Sequence, residues 1–284
     1  MIIKPSGKTL GAAITEIDLS RPLSNEAISL IRDAWLEYHV IFFPEQVLDH
    51  DQLLKFSLAI GPFGDDPFIE PIEGRRNIIA IQRKSTEKSP LFAENWHTDW
   101  SFQAKPPAGT CLYGIDIPPV GGDTLFADQI YALSEMPQDL FNQIEGRFAV
   151  HSAKLAYAPD GMYGDSDRSS GRSMSIRSSQ SAYETQIHPL IKTHPETGKP
   201  SLFGCLGYIV GIEGMTTNDA FDLLSQLITW QTKAEFVYRH RWSPHMLVLW
   251  DNRCLLHCAT GGYEGYSRYL LRTTVADDVE SYNA

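Results

Sequence analysis

The chain has 284 residues, 43% hydrophobic and 21% charged, the make-up of an ordinary globular protein with a sizeable core. A formal net charge of −11 argues against a broad basic face for nucleic acid, so an anionic ligand has to be met by local arginines. No run approaches the ~18 apolar residues of a membrane span, the opening stretch MIIKPSGKTLGAAITEIDLS lacks a signal-peptide core, and four cysteines without a CxxC pair read as reduced thiols, so a cytoplasmic protein with no membrane partner is expected.

Residues 24–37, SNEAISLIRDAWLE, carry apolar side chains at helical spacing behind a capping Ser24. HVIFFP (39–44) reads as a buried strand stopped by proline, and 49–61 as a second helix between Asp49 and Gly61. NIIAIQR (77–83) is strand-like. GTCLYGIDIPP (109–119) and GGDTLFAD (121–128) follow as two strands with Pro-Pro and Gly-Gly punctuation. Residues 129–146 are helical with a break near Pro137. RFAVHSA, IHPLIKTHP, SLFGC, EFVYRHRW, HMLVLWDN and RYLLRTTVAD read as later strands, interrupted by a helix over 217–234. Residues 160–182, rich in Ser, Gly and Arg, read as a mobile insertion, either a surface loop or a lid over a site. Many short strands without βαβ alternation predict a mainly β fold with flanking helices: a sandwich, jelly roll or barrel.

The chemistry concentrates at NWHTDWSF (95–102). On a strand, residues two apart share a face, so His97 and Asp99 would point together and Trp96 and Trp100 would take the other side. A His-x-Asp pair alone is also explained by one buried hydrogen bond, so a third ligand decides. His257 is the candidate, just beyond an apolar strand and an Asp-Asn turn. Arg268 and Arg272 follow, four apart and on one strand face, with Leu270 between them. Buried there, they call for anions. Two imidazoles and a carboxylate suit iron(II) with open coordination positions; structural zinc normally takes a fourth protein ligand, and Cys258, next to His257, would point away.

The segments NWHTDWSF, PPAGTCLYGIDIPPVGGDTLFAD, HPLIKTHPETGKPSLF and WDNRCLLHCATGGYEGYSRYLLRTTV resemble, in order and spacing, the taurine/2,4-dichlorophenoxyacetate dioxygenase family. The resemblance runs from GAAITEIDLS to TTVADD. It implies one domain over 1–284 on a double-stranded β-helix (jelly roll, cupin-like), with Fe(II), 2-oxoglutarate as co-substrate and O2. Carried over by position, His97, Asp99 and His257 would hold the metal, Thr124 and Arg268 would take the 2-oxoglutarate carboxylates, and Arg272 would face the substrate's acidic group. Trp250, Asp251, Asn252 and Arg253 belong to the motif in a structural role. The carboxylate at Asp99 favours hydroxylation over halogenation. The chain departs from the taurine-specific pattern: Asp66 and Ile69 stand near the positions of a histidine and a tyrosine, and Ala93 replaces an asparagine. The expected substrate wall is then apolar, formed by Phe68, Ile69 and Ala93, and the substrate a small anion with a hydrophobic or aromatic body, such as an aryloxyalkanoate. An alkyl sulfate or a sulfonate is the alternative. A non-catalytic metal-binding sensor and a zinc hydrolase are the rivals from other classes. The family resemblance further implies a dimer or tetramer.

Overall fold

A computed structural model describes residues 1–167 and 170–278. Its strands are β1 (Ile2–Pro5), β2 (Ala12–Thr15), β3 (Val40–Phe43), β4 (Ile79–Arg83), β5 (Gly109–Asp116), β6 (Thr124–Asp128), β7 (Phe148–Ser152), β8 (Thr185–Pro189), β9 (Ile191–Thr193), β10 (Pro200–Leu202), β11 (Ile209–Ile212), β12 (Val237–His240), β13 (Leu247–Asp251), β14 (Leu255–Ala259) and β15 (Arg268–Val275). The helices are α1 (Asn25–Tyr38), α2 (His50–Ile60), α3 (Gln129–Ser134), α4 (Gln138–Ile144), α5 (Lys154–Tyr157) and α6 (Thr217–Gln231). A large sheet runs β1-β2-β3-β13-β5-β15-β4, and smaller sheets run β12-β6-β14, β11-β7-β8 and β10-β9. This is the jelly roll the family resemblance implies.

The central strands β3, β13, β5 and β15 of the large sheet are buried on both faces, and the period of two sorts their side chains. Leu247 and Leu249 of β13, Cys111 and Tyr113 of β5 and Leu271 of β15 meet Ile31, Ala34 and Trp35 of α1 and Leu53, Phe56 and Ile60 of α2. The alternate residues Val248, Trp250, Leu112 and Leu270 turn inward onto Phe126 and Leu255 of the β12-β6-β14 sheet. Arg268 and Arg272 share the inward face with Leu270, as spacing predicts, and both are buried. α6 covers a separate cluster with Ile209 and Ile212 of β11.

Helix ends follow local chemistry. The Ser24 side chain accepts from Ala27 N at 3.2 Å. Asp49 and Gln52 form a reciprocal capping box, a feature that stabilises a helix start by about 1 kcal/mol. The break at Pro137 separates α3 from α4. β1, β2 and β11 carry no clear sequence signal: the first two are four-residue strands near the N-terminus, and β11 includes Gly211 and a register shift. All four cysteines are buried free thiols. Among the described residues no helix is long and apolar enough to cross a membrane.

One expectation changes. NWHTDWSF is not a strand: His97 sits in an isolated bridge to His257, and the chain then turns, with Trp100 at φ +51°. Residues 170–177 of the expected mobile insertion are tied to the body. Ser173 N donates to Glu87 at 2.9 Å, Gln82 Nε2 donates to Ser173 O at 2.7 Å, and Ile176 bridges Ile69. The part of that expectation at Arg168 and Ser169 lies outside the described residues.

Candidate active site

The site lies between the large sheet and the β12-β6-β14 sheet. The backbones of His97 and His257 exchange hydrogen bonds, 3.0 Å from His97 N and 2.7 Å from His257 N. That bridge sets the two imidazoles side by side, with centroids 4.2 Å apart. The turn after His97 swings Asp99 beneath them, and its Oδ1 lies 3.7 Å from both Nε2 atoms. One ligand atom from each of the three falls within 4.8 Å of the others, so they can hold one ion.

The surroundings hold these groups in ligating form. His97 Nδ1 lies 2.8 Å from the Asn95 carbonyl, which takes its N–H and leaves Nε2 with a lone pair. Burial lowers the pKa of His97 and carries His257 down to about 3, so both imidazoles are neutral. Burial alone would raise Asp99, but Arg272, then His257 and His97, outweigh it and hold the carboxylate ionised.

A hydrogen-bond chain fixes the carboxylate from behind. Trp250 Nε1 donates to Asn252 Oδ1 at 2.9 Å, Asn252 Nδ2 donates to Thr110 Oγ1 at 3.0 Å, and Thr110 Oγ1 donates to Asp99 Oδ2 at 2.7 Å. Oδ2 is thus occupied while Oδ1 faces the imidazoles. Asn252, in its structural role, thus reaches the Asp99 carboxylate through Thr110. Thr110 carries no motif; only the pairing of β5 with β13 brings it here. Thr110→Val should fold and should bind a divalent metal about 10–100-fold more weakly, the usual cost of losing an outer partner of a ligand, as read by calorimetric titration with Mn(II).

Two cavities meet at these side chains. The smaller, about 50 Å³, is lined by His97, Asp99, His257, Thr124, Ala93, Arg268 and Arg272 among others. Thr124 Oγ1 accepts from Trp242 Nε1 at 3.0 Å, leaving its own proton free to donate. Arg268 is buried, donates to Gly122 O at 3.2 Å, and has an Nε without a partner. An orphaned buried guanidinium N–H is what an anion at the end of this cavity would satisfy. The larger cavity, about 350 Å³, has Arg272 at its base and walls that include Phe92, Trp96, Trp100, Tyr157, Tyr163 and Tyr208.

The sequence placed seven of these residues together: His97, Asp99, His257, Thr124, Arg268, Arg272 and Ala93 all line one cavity or both. Phe68 and Ile69 do not line either. Phe68 stacks face to face behind Tyr157, centroids 4.8 Å apart, and Ile69 is bridged to Ile176. They support the wall instead of forming it. Trp96 and Trp100 do not turn away from His97 and Asp99: both line the larger cavity with them, and the backbone turns at Trp100. Tyr157 and Tyr208, whose phenols hydrogen-bond each other, are wall residues that no sequence pattern marked.

His39, Asp251 and Cys254 also gather. Asp251 has no free ligand atom there: Oδ1 accepts from Arg253 N and Nε, and Oδ2 from Arg253 Nη2 and His194 Nε2.

Comparison with known proteins fits this geometry. The profile of the family described as "Taurine catabolism dioxygenase TauD, TfdA family" matches residues 2–274. The chain belongs to this family. The alpha-ketoglutarate-dependent 2,4-dichlorophenoxyacetate dioxygenase of Cupriavidus pinatubonensis is 31% identical over 295 residues, covering 98% of each protein. An alkylsulfatase of Acinetobacter baylyi is 31% identical over 275 residues, 95% of this chain and 83% of that one. The crystal structure of a taurine dioxygenase from Burkholderia xenovorans superposes with a TM-score of 0.80 at 29% identity, over 98% of this chain and 89% of that one. Within the TauD/TfdA family, such names span three kinds of substrate, so the walls of the larger cavity carry the question of specificity.

Proposed function

We propose that this TauD/TfdA-family protein hydroxylates a small organic acid with an aromatic or other apolar body, of the aryloxyalkanoate type. The enzyme is a 2-oxoglutarate-dependent dioxygenase that uses Fe(II) and O2. The observation that supports the reading is the joint geometry: three ligand atoms lie within 4.8 Å of one another, and two of those residues, His97 and Asp99, line with Arg272 a cavity whose walls include the rings of Phe92, Trp96, Trp100, Tyr157, Tyr163 and Tyr208.

His97, Asp99 and His257 are the proposed metal ligands. When bound, iron with 2-oxoglutarate and O2 supplies an oxidation that yields succinate, carbon dioxide and a hydroxylated substrate carbon. The chain's own residues bind, orient and exclude water. Thr124 and Arg268 receive the 2-oxoglutarate carboxylates, one by a hydroxyl donor and one by a guanidinium fork. Arg272 receives the substrate's acidic group. The rings of Phe92, Tyr157, Tyr163 and Tyr208 pack the substrate body. Leu155, just before the 160–182 segment, and Met162 and Tyr163, at its start, close the cavity as a lid.

A second reading, an alkyl sulfate as substrate, is favoured by the aliphatic part of the wall: Leu155, Met162, Leu206 and Ile228. Succinate release from 2-oxoglutarate is the test, measured with Fe(II) across aryloxyalkanoates, alkyl sulfates, sulfonates and N-acyl amino acids. Preference for taurine over every aryloxyalkanoate would refute the reading. Arg268→Leu should raise the KM for 2-oxoglutarate by about 30-fold or more, since truncating one member of a buried charge pair typically costs about 2–5 kcal/mol. An unchanged KM would remove Arg268 from the co-substrate site.

A further inference from the structure

We propose that Asp66 determines specificity by serving as a resident counter-charge to Arg272, so that substrate is selected by its apolar body more than by its anion. This rests on the reading above, in which the substrate's acidic group meets Arg272.

Asp66 lies in the loop after α2, far in sequence from the metal-binding side chains, and in sequence it looks like the simple loss of a polar substrate contact. The structure gives it a different position. Its Oδ1 is 3.1 Å from Arg272 Nη2 and accepts from Trp100 Nε1 at 2.8 Å. Its Oδ2 accepts from Thr274 Oγ1 at 3.1 Å. With Trp100 and Thr274 donating from the protein side, the carboxylate cannot swing away when a ligand arrives. The Trp100 ring in turn lies against the Arg272 guanidinium, 4.9 Å from its centroid, so Asp66, Trp100 and Arg272 form one packed unit.

The charge balance follows. Arg272 Nη1 faces Asp99 Oδ1 at 3.4 Å, and Nη2 faces Asp66. A metal ion takes up the charge of Asp99. Asp66 still offsets Arg272, so the guanidinium offers hydrogen-bond donors with little net positive charge. An incoming anion gains the donors but is repelled by a fixed carboxylate across the same fork, in a site where water screens little. A small, strongly hydrated anion then has too little to offset its own desolvation. An acid whose ring or chain fills the aromatic cavity does. A neutral analogue with the same body and an acceptor in place of the acid binds nearly as well.

The experiment uses Mn(II)-loaded protein with N-oxalylglycine as an unreactive co-substrate analogue, and calorimetric Kd values for phenoxyacetate and phenoxyacetamide. In the wild type the two Kd values are expected to agree within about tenfold. In Asp66→Asn, which keeps an acceptor for Trp100, phenoxyacetate is expected to tighten at least fivefold while phenoxyacetamide stays within twofold. Weaker binding of the acid by Asp66→Asn would show that Asp66 only orients Arg272, and would overturn the proposal, as would no change for either ligand. If Asp66→Asn does not fold, the wild-type pair decides: a preference for the acid above thirtyfold overturns it. If neither aryloxy compound binds, the aryloxyalkanoate reading fails, and the same comparison is read on decyl sulfate against decanol. Absence of binding by all four overturns this proposal together with the reading beneath it.

Discussion

Asp99→Ala should give a folded protein that releases no succinate above background, a loss of at least about 1,000-fold, or ~4 kcal/mol of transition-state stabilisation. Asp99 supplies the only carboxylate in the His97–His257 cluster. Removing it leaves two neutral imidazoles, which compete poorly with water and buffer for a divalent ion. It also strands the Thr110 donor and removes the partner of Arg272 Nη1. Metal titration separates these effects from misfolding: circular dichroism should match the wild type while Mn(II) binding falls sharply. Product formation at the wild-type rate by folded Asp99→Ala would exclude Asp99 as a ligand, and with it the assignment of the cluster.

The second large effect is on stability. Asp251 is fully buried and bonded to Arg253 and His194, while Arg253 also pairs with Glu196. Asp251→Asn keeps the shape but leaves Arg253 short of charge, and breaking a buried pair from one side costs about 3–5 kcal/mol. Urea denaturation should show that loss directly. pH adds an independent reading. Burial would raise the Asp251 carboxyl, but Arg253 and then His194 hold it well below the ordinary carboxylate range. A depressed folded pKa stabilises fully above the unfolded value of about 3.9 and less as pH falls below it. The wild type should therefore lose stability steeply below about pH 4, and Asp251→Asn should lose it less steeply. Equal acid slopes would show that Asp251 does not carry this linkage.

The two predictions concern Asp99 and Asp251, which meet through the turn between β13 and β14, yet they read different physics. One ion pair, Asp251–Arg253, anchors the turn between β13 and β14. The bond from Asn252 to Thr110 reaches the Asp99 carboxylate through that same turn. Loosening the anchor should therefore lower metal affinity as well as stability, a coupling that Mn(II) titration of Asp251→Asn can measure.

The amino-acid order alone determined what depends on short-range periodicity and end chemistry. α1 and α2 begin at the side chains that cap them, β13 and β5 alternate between two buried faces, and Arg268 and Arg272 point inward because four residues on a strand return to the same side. The convergence of His97, Asp99 and His257 was readable because their residue types and order match the family pattern. Only the tertiary structure decided what the turn at Trp100 does. A positive φ there breaks the alternation that the strand reading assumed, and both Trp96 and Trp100 line the cavity. Phe68 fell behind Tyr157, Ile69 paired with Ile176, and Tyr208 reached the wall, because loops from distant parts of the chain pack into the same volume. Asp66 and Thr110 found Arg272 and Asp99 by contacts that no local pattern encodes. Such pairs are settled by which loop packs over which strand, and that is a property of the whole folded chain.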